Sequence, residues 1–92
     1  MAAKGSLAAA LKTIRKARGL SQEAFSDVSS RTYMSSLERS LKSPTLNKVE
    51  ELCEVMEVHP LTLLALAYGA DDKGVDALLE KVRRELAALQ GA

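Results

Sequence analysis

Leu20-Ser-Gln-Glu-Ala-Phe25 and, after five intervening residues, Arg31-Thr-Tyr-Met-Ser-Ser-Leu-Glu-Arg39 form the stretch whose reading decides the fold. Ser21 can cap a helix, Glu23 lies in its first turn near the positive end of the helix dipole, and Phe25 turns inward. This predicts a helix over about 21–28. Ser29 and Ser30 form a turn, and Ser30 can cap a second helix over about 31–39 with Met34 and Leu37 inward. Two short helices joined by two or three residues predict a helix-turn-helix.

Upstream, Leu7, Leu11 and Ile14 recur at helical spacing, with Lys12, Arg15 and Lys16 among them, and predict an amphipathic helix from about Ser6 to Ala17 or Arg18. Gly19 follows, where a left-handed helix end suits glycine. Downstream, Leu41 to Pro44 is a loop and Thr45 a cap. Leu46, Val49, Leu52, Cys53 and Met56 form one apolar stripe. His59 as cap and Pro60 as first helical residue open a further helix through about Ala67. Tyr68 to Asp72 link it to a last helix over about Val75 to Leu89. No stretch alternates with period two, so the expected fold is all-α: a five-helix domain over 6–68, then a linker and C-terminal helix over 69–92.

The chain has 92 residues, 13 basic against 12 acidic, for a net charge of +1. That length supports one domain with a modest core. The near-zero total hides a polarity: residues 1–48 carry nine basic and three acidic side chains, whereas residues 49–92 carry four and nine. A basic half attracts phosphate and an acidic half does not. Cys53 is the single cysteine, which excludes an internal disulfide and fits a reducing compartment. No apolar run is long enough to span a membrane, and Met1 to Ser6 lacks the apolar region of a signal peptide.

The segments Arg15-Lys-Ala-Arg-Gly-Leu-Ser-Gln-Glu-Ala-Phe25, Arg31 to Arg39, Ser43-Pro-Thr-Leu46 and Val58-His-Pro-Leu-Thr-Leu-Leu64 together resemble the Cro/repressor-type (Xre) helix-turn-helix regulators of bacteria and phages. The resemblance covers residues 7 to about 67. It implies a lambda-repressor-like fold, double-stranded DNA as partner, a recognition helix over about 31–39, no cofactor or metal, and a cytoplasmic, nucleoid-associated location. It also implies that Gln22 contacts phosphate and that Arg15 and Glu38 form an internal salt bridge. The chain departs from the family pattern at Val28-Ser29-Ser30-Arg31, about two residues short, so the preceding helix is expected to be truncated or its exit tightened.

A helix fits the major groove and presents its N-terminal residues to base edges. Those positions are Arg31, Thr32, Ser35 and Ser36. Arg31 can bind guanine bidentately, although a phosphate contact or a solvated charge also fits it. Tyr33, Arg39, Lys42 and Ser43 lie where the sugar-phosphate backbone should pass, while Lys12 and Lys16 read equally well as solvated lysines. In the last helix Val75, Val82 and Leu89 are seven apart, with Leu78, Leu79 and Leu86 beside them. This stripe fits either packing against the domain's own core or a homodimer through Leu61, Val75, Leu78, Leu79, Val82 and Leu86. Two copies would read a palindromic operator, most simply as a repressor.

Catalysis is not expected: His59 reads as a cap, Cys53 lies in a core stripe, and there is no glycine-rich phosphate loop or metal-ligand spacing. Small-molecule control is not expected either. The rival readings are a protein-interaction module, and an antitoxin or controller protein built on the same fold.

Overall fold

A computed structural model describes the backbone of residues 2–91 and the side chains of residues 7–91, so the Lys4 side chain lies outside the described residues. The elements are α1 (Ala2–Ala17), a 3-10 turn (Gln22–Phe25), α2 (Arg31–Glu38), α3 (Leu46–Met56), α4 (Pro60–Gly69) and α5 (Asp72–Gly91). Among the described residues there is no strand.

The helix starts follow local chemistry. The Tyr33 N–H donates to Ser30 Oγ at 3.0 Å, the Lys48 N–H to Thr45 Oγ1 at 3.1 Å, and the Leu61 N–H to His59 Nδ1 at 3.0 Å. Each bond satisfies an N–H that the first helical turn leaves free. The first three helices end alike, with a left-handed residue and a bond reaching back over it. Gly19, Ser40 and Glu57 have φ of 70°, 61° and 60°. The N–H groups of Leu20, Leu41 and Val58 then donate to Arg15, Ser36 and Cys53 carbonyls.

α4 runs to Gly69 and α5 to Gly91, two residues past their expected ends, and three other boundaries differ more. α1 begins at Ala2 rather than near Ser6, an extension that alanine favours. α5 begins at Asp72 rather than Val75, because the Asp71 carboxylate accepts the Gly74 N–H at 2.8 Å and so acts as a cap. The helix expected over 21–28 is reduced to the four-residue 3-10 turn, and Ser21 makes no side-chain cap. A 3-10 turn advances about 2.0 Å per residue against about 1.5 Å for an α-helix, so it spans the gap to α2 with fewer residues. The N–H groups of Val28 and Ser29 both close onto the Phe25 carbonyl, at 2.9 and 2.8 Å, which tightens the exit.

The core gathers Leu11, Phe25, Met34, Leu52, Met56 and Leu63, all fully buried. Cys53 is buried there too, and desolvation pushes its thiol pKa up, so it stays neutral and poorly reactive. Leu46 is expected in the buried stripe of α3 but is 70% exposed, since it lies at the very start of the helix. α4 carries apolar residues on every side: it packs mainly on α1 and α5 and also meets α3, while Leu61 and Tyr68 stay exposed. Leu66 belongs to the flank that meets the core. α5 buries no residue fully: Val75 and Leu78 are half-buried near α4, and every residue from Leu79 onward is exposed.

The α4–α5 corner is tight. The Asp71 N–H donates to the Gly69 carbonyl at 2.8 Å across Ala70, which has φ 72° and ψ −43°, a strained γ-turn. A Cβ on Gly74 would lie 1.9 Å from the Gly69 carbonyl oxygen, and one on Gly69 would lie 2.7 Å from the Val75 backbone. Gly74→Ala therefore forces the corner open and is expected to cost about 1–3 kcal/mol, lowering the melting temperature by roughly 5–15 °C. Gly91→Ala, which meets nothing within 4 Å, is the control. Equal melting curves in circular dichroism would refute the close approach.

Candidate nucleic-acid interface

α2 is fixed to α1 at its C-terminal end by a buried ion pair. Arg15 Nε donates to Glu38 Oε2 at 2.6 Å and Arg15 Nη2 to Glu38 Oε1 at 3.0 Å, a bidentate fork. The third guanidinium nitrogen, Nη1, donates to the Leu20 carbonyl at 2.8 Å, tying in the end of α1. The two side chains are 10% and 5% exposed. The hydrogen bond to Glu38 is the main influence on the Arg15 pKa and raises it, against the lowering effect of burial. Gln22 Nε2 donates to the same carboxylate at 3.2 Å, so Glu38 joins three segments of chain. Among the described residues no buried side-chain nitrogen or oxygen lacks a partner.

With its inner side anchored, α2 turns its other face outward. Gln22, Arg31, Thr32, Ser35, Ser36 and Arg39 line one open concavity of about 470 Å³. Arg31, Thr32 and Arg39 are exposed, and Ser35 and Ser36 half-buried. The structure thus brings together the four expected base-contacting residues, with Gln22 and Arg39 at their edge. Arg31 Nη1 lies 3.3 Å from Glu23 Oε2, with both side chains about 70% exposed. Such a surface pair contributes about 0–1 kcal/mol, so Arg31 can leave it for a stronger acceptor at little cost.

Tyr33, Lys42 and Ser43 are not part of this concavity. Tyr33 is half-buried against the core, and its ring lies beneath two ammonium groups, Lys42 Nζ at 5.7 Å and Lys48 Nζ at 5.8 Å from the ring centre. Lys42 and Ser43 are exposed in the loop after α2. Lys42 and Lys48 thus form a second basic cluster over the Tyr33 ring. Lys12 and Lys16 are exposed on α1.

Lys48 is the residue that sequence reasoning missed. Its ammonium bonds the Val28 carbonyl and pairs with Glu51 at 3.0 Å. It therefore holds the shortened turn against α3. The local signal, a lysine in the first turn of α3, says nothing about a contact 20 residues back.

The chain matches the helix-turn-helix family over residues 11–63, more than half its length. It belongs to the Cro/repressor-type helix-turn-helix family. The helix-turn-helix is a DNA-binding unit, with the 3-10 turn in place of its first helix and α2 as its second. None of the curated proteins and none of the solved structures matches the chain. No helix among the described residues is long and apolar enough to cross a membrane, and none of those residues form a metal-ligand cluster.

The helix-turn-helix depends on Glu38 for its internal geometry and not on Arg31. Glu38→Ala leaves the buried Arg15 guanidinium without its carboxylate and is expected to cost about 3–5 kcal/mol. Arg31→Ala breaks only an exposed pair and is expected to cost less than about 1 kcal/mol. Thermal melts of the two variants, run side by side, check this ordering; indistinguishable midpoints would contradict it.

Proposed function

We propose that this protein is a sequence-specific transcriptional repressor that binds a palindromic DNA operator as a homodimer. The observation that carries this reading is the single outward face on which Arg31, Thr32, Ser35 and Ser36 converge beside Gln22 and Arg39. Short hydroxyl side chains let a helix approach the floor of the major groove, and one arginine among them can grip guanine O6 and N7. Gln22 keeps an amide hydrogen free of Glu38 for a phosphate oxygen. Arg39 and the cluster of Tyr33, Lys42 and Ser43 serve the sugar-phosphate backbone on either side.

In this reading residues 6–68 recognise DNA and residues 69–92 assemble the dimer. The charge polarity follows a different line: residues 6–68 carry eight basic and seven acidic side chains and residues 69–92 four and five, so the basic excess belongs to residues 1–48, the part that contains the helix-turn-helix. A small net charge makes non-specific attraction weak, so selectivity rests on the base-reading side chains. A dimer seated across an operator excludes other proteins from the same DNA, which is the simplest route to repression. A DNA target and a reduced, buried Cys53 both fit the cytoplasm, with the protein on the nucleoid.

Selection from a randomised duplex pool, followed by sequencing, tests the reading. A symmetric motif with half-sites about one helical turn apart is expected. Arg31→Ala should flatten preference at one position per half-site, losing about 1–3 kcal/mol of discrimination, whereas Lys42→Ala should weaken all sequences alike and reduce the salt slope by about one per subunit. Weak binding without enrichment would point instead to a protein-interaction module.

A further inference from the structure

The exposed stripe of α5 has a regular period. Val75, Leu79, Val82, Leu86 and Leu89 follow one another at intervals of four, three, four and three. That alternation is the seam of a coiled coil. Leu79, Val82, Leu86 and Leu89 are 46%, 39%, 49% and 75% exposed, so the seam is open from Leu79 onward. The two halves of α5 nevertheless differ. Beside the first half, α4 and α5 enclose an apolar groove of about 320 Å³ lined by residues including Leu61, Leu64, Tyr68 and Leu79. Beyond Val82 every described residue of the helix is exposed, and its leucines face water.

A groove without an occupant and an apolar helix without a groove thus occur on the same element. We propose that a second copy of this chain lies antiparallel along α5, so that the free half of each α5 fills the α4/α5 groove of the other. This rests on the homodimer reading above and adds its geometry. The arrangement is isologous and closes on itself, giving a four-helix bundle from α4 and α5 of both copies.

Charge favours this occupant and this direction. Residues 72–91 contain four acidic and four basic side chains, so two copies meet without net repulsion. With Leu79 opposite the partner's Val82, Val75 comes opposite the partner's Leu86. The exposed Asp76 then flanks the seam beside the partner's Arg83, and the reciprocal pair forms by symmetry. A parallel pairing brings no opposite charges together across the seam and leaves both grooves open. Glu80 and Arg84 face each other at 3.9 Å within one helix and lie outside the seam.

The test combines sedimentation with a distance measurement on the full chain carrying a spin label at Gln90→Cys, while the fully buried Cys53 stays unlabelled in the folded protein. A dimer with a label separation near 30 Å is expected, because antiparallel helices place the two labels at opposite ends of the bundle. A dimer with labels within about 15 Å is parallel and overturns the proposal while leaving the homodimer intact. A chain that sediments as a monomer at the concentrations where it binds DNA overturns both. Leu86→Glu, on the exposed half of α5, is expected to stay folded by circular dichroism and to raise the dimer dissociation constant at least about 100-fold. An unchanged dissociation constant in that variant also refutes the seam.

Discussion

The carboxylate of Glu38 is the point on which the geometry of the helix-turn-helix depends. It receives two hydrogen bonds from Arg15 and one from Gln22, while Arg15 also reaches the Leu20 carbonyl. α1, the segment leading into the 3-10 turn, and the end of α2 are thereby held by one small polar network in an otherwise apolar interior. A buried ion pair of this kind adds little net stability against an apolar replacement, because desolvation opposes the attraction. Its contribution here is directional. Apolar contacts around Met34 and Leu37 would let α2 rotate about its axis, whereas a bidentate fork admits one orientation, and that orientation turns Arg31, Thr32, Ser35 and Ser36 outward together.

At its other end α2 is steadied by a different device. The shortened turn gives up most of a helix, and with it the regular pattern of backbone bonds that would fix the entry to α2. Phe25 compensates by burying its ring completely and by accepting two N–H groups on its carbonyl. Lys48 adds a bond to Val28 from across the domain. Recognition helix and turn are therefore braced from α1 at one end and from α3 at the other.

Much of this was readable from the chain alone because it is local. Ser30, Thr45 and the His59-Pro60 pair mark helix starts by chemistry acting within three residues, and the structure places all three starts there. The apolar periods of α1, α3 and α5 are equally local. What escaped the reading depends on distance. Gln-Glu-Ala-Phe has ordinary helix propensity, and only the need to span from α1 to α2 with too few residues winds it into a 3-10 turn. Lys48 reads as a solvated lysine until the fold brings Val28 beside it. The start of α5 differs in kind, since Asp71, three residues before Gly74, carries a local cap signal. At the site, Arg31, Thr32, Ser35, Ser36 and Arg39 share a face by helical spacing, which also turns Tyr33 away from them, but that Gln22 joins them follows from packing.

The corner between α4 and α5 has a meaning beyond stability. A strained residue at Ala70 and two glycines in mutual contact leave the direction of α5 almost no freedom. In the antiparallel dimer proposed above, that direction would set how far apart the two copies of α2 stand. A tilt of a few degrees at the corner, carried along a helix roughly 30 Å long, displaces its far end by a few ångströms, about one base-pair step. Under that proposal the spacing between half-sites and the letters within them would be written in separate parts of the chain. Operators with a new gap would become reachable by re-aiming this corner, with the side chains proposed to read bases left as they are.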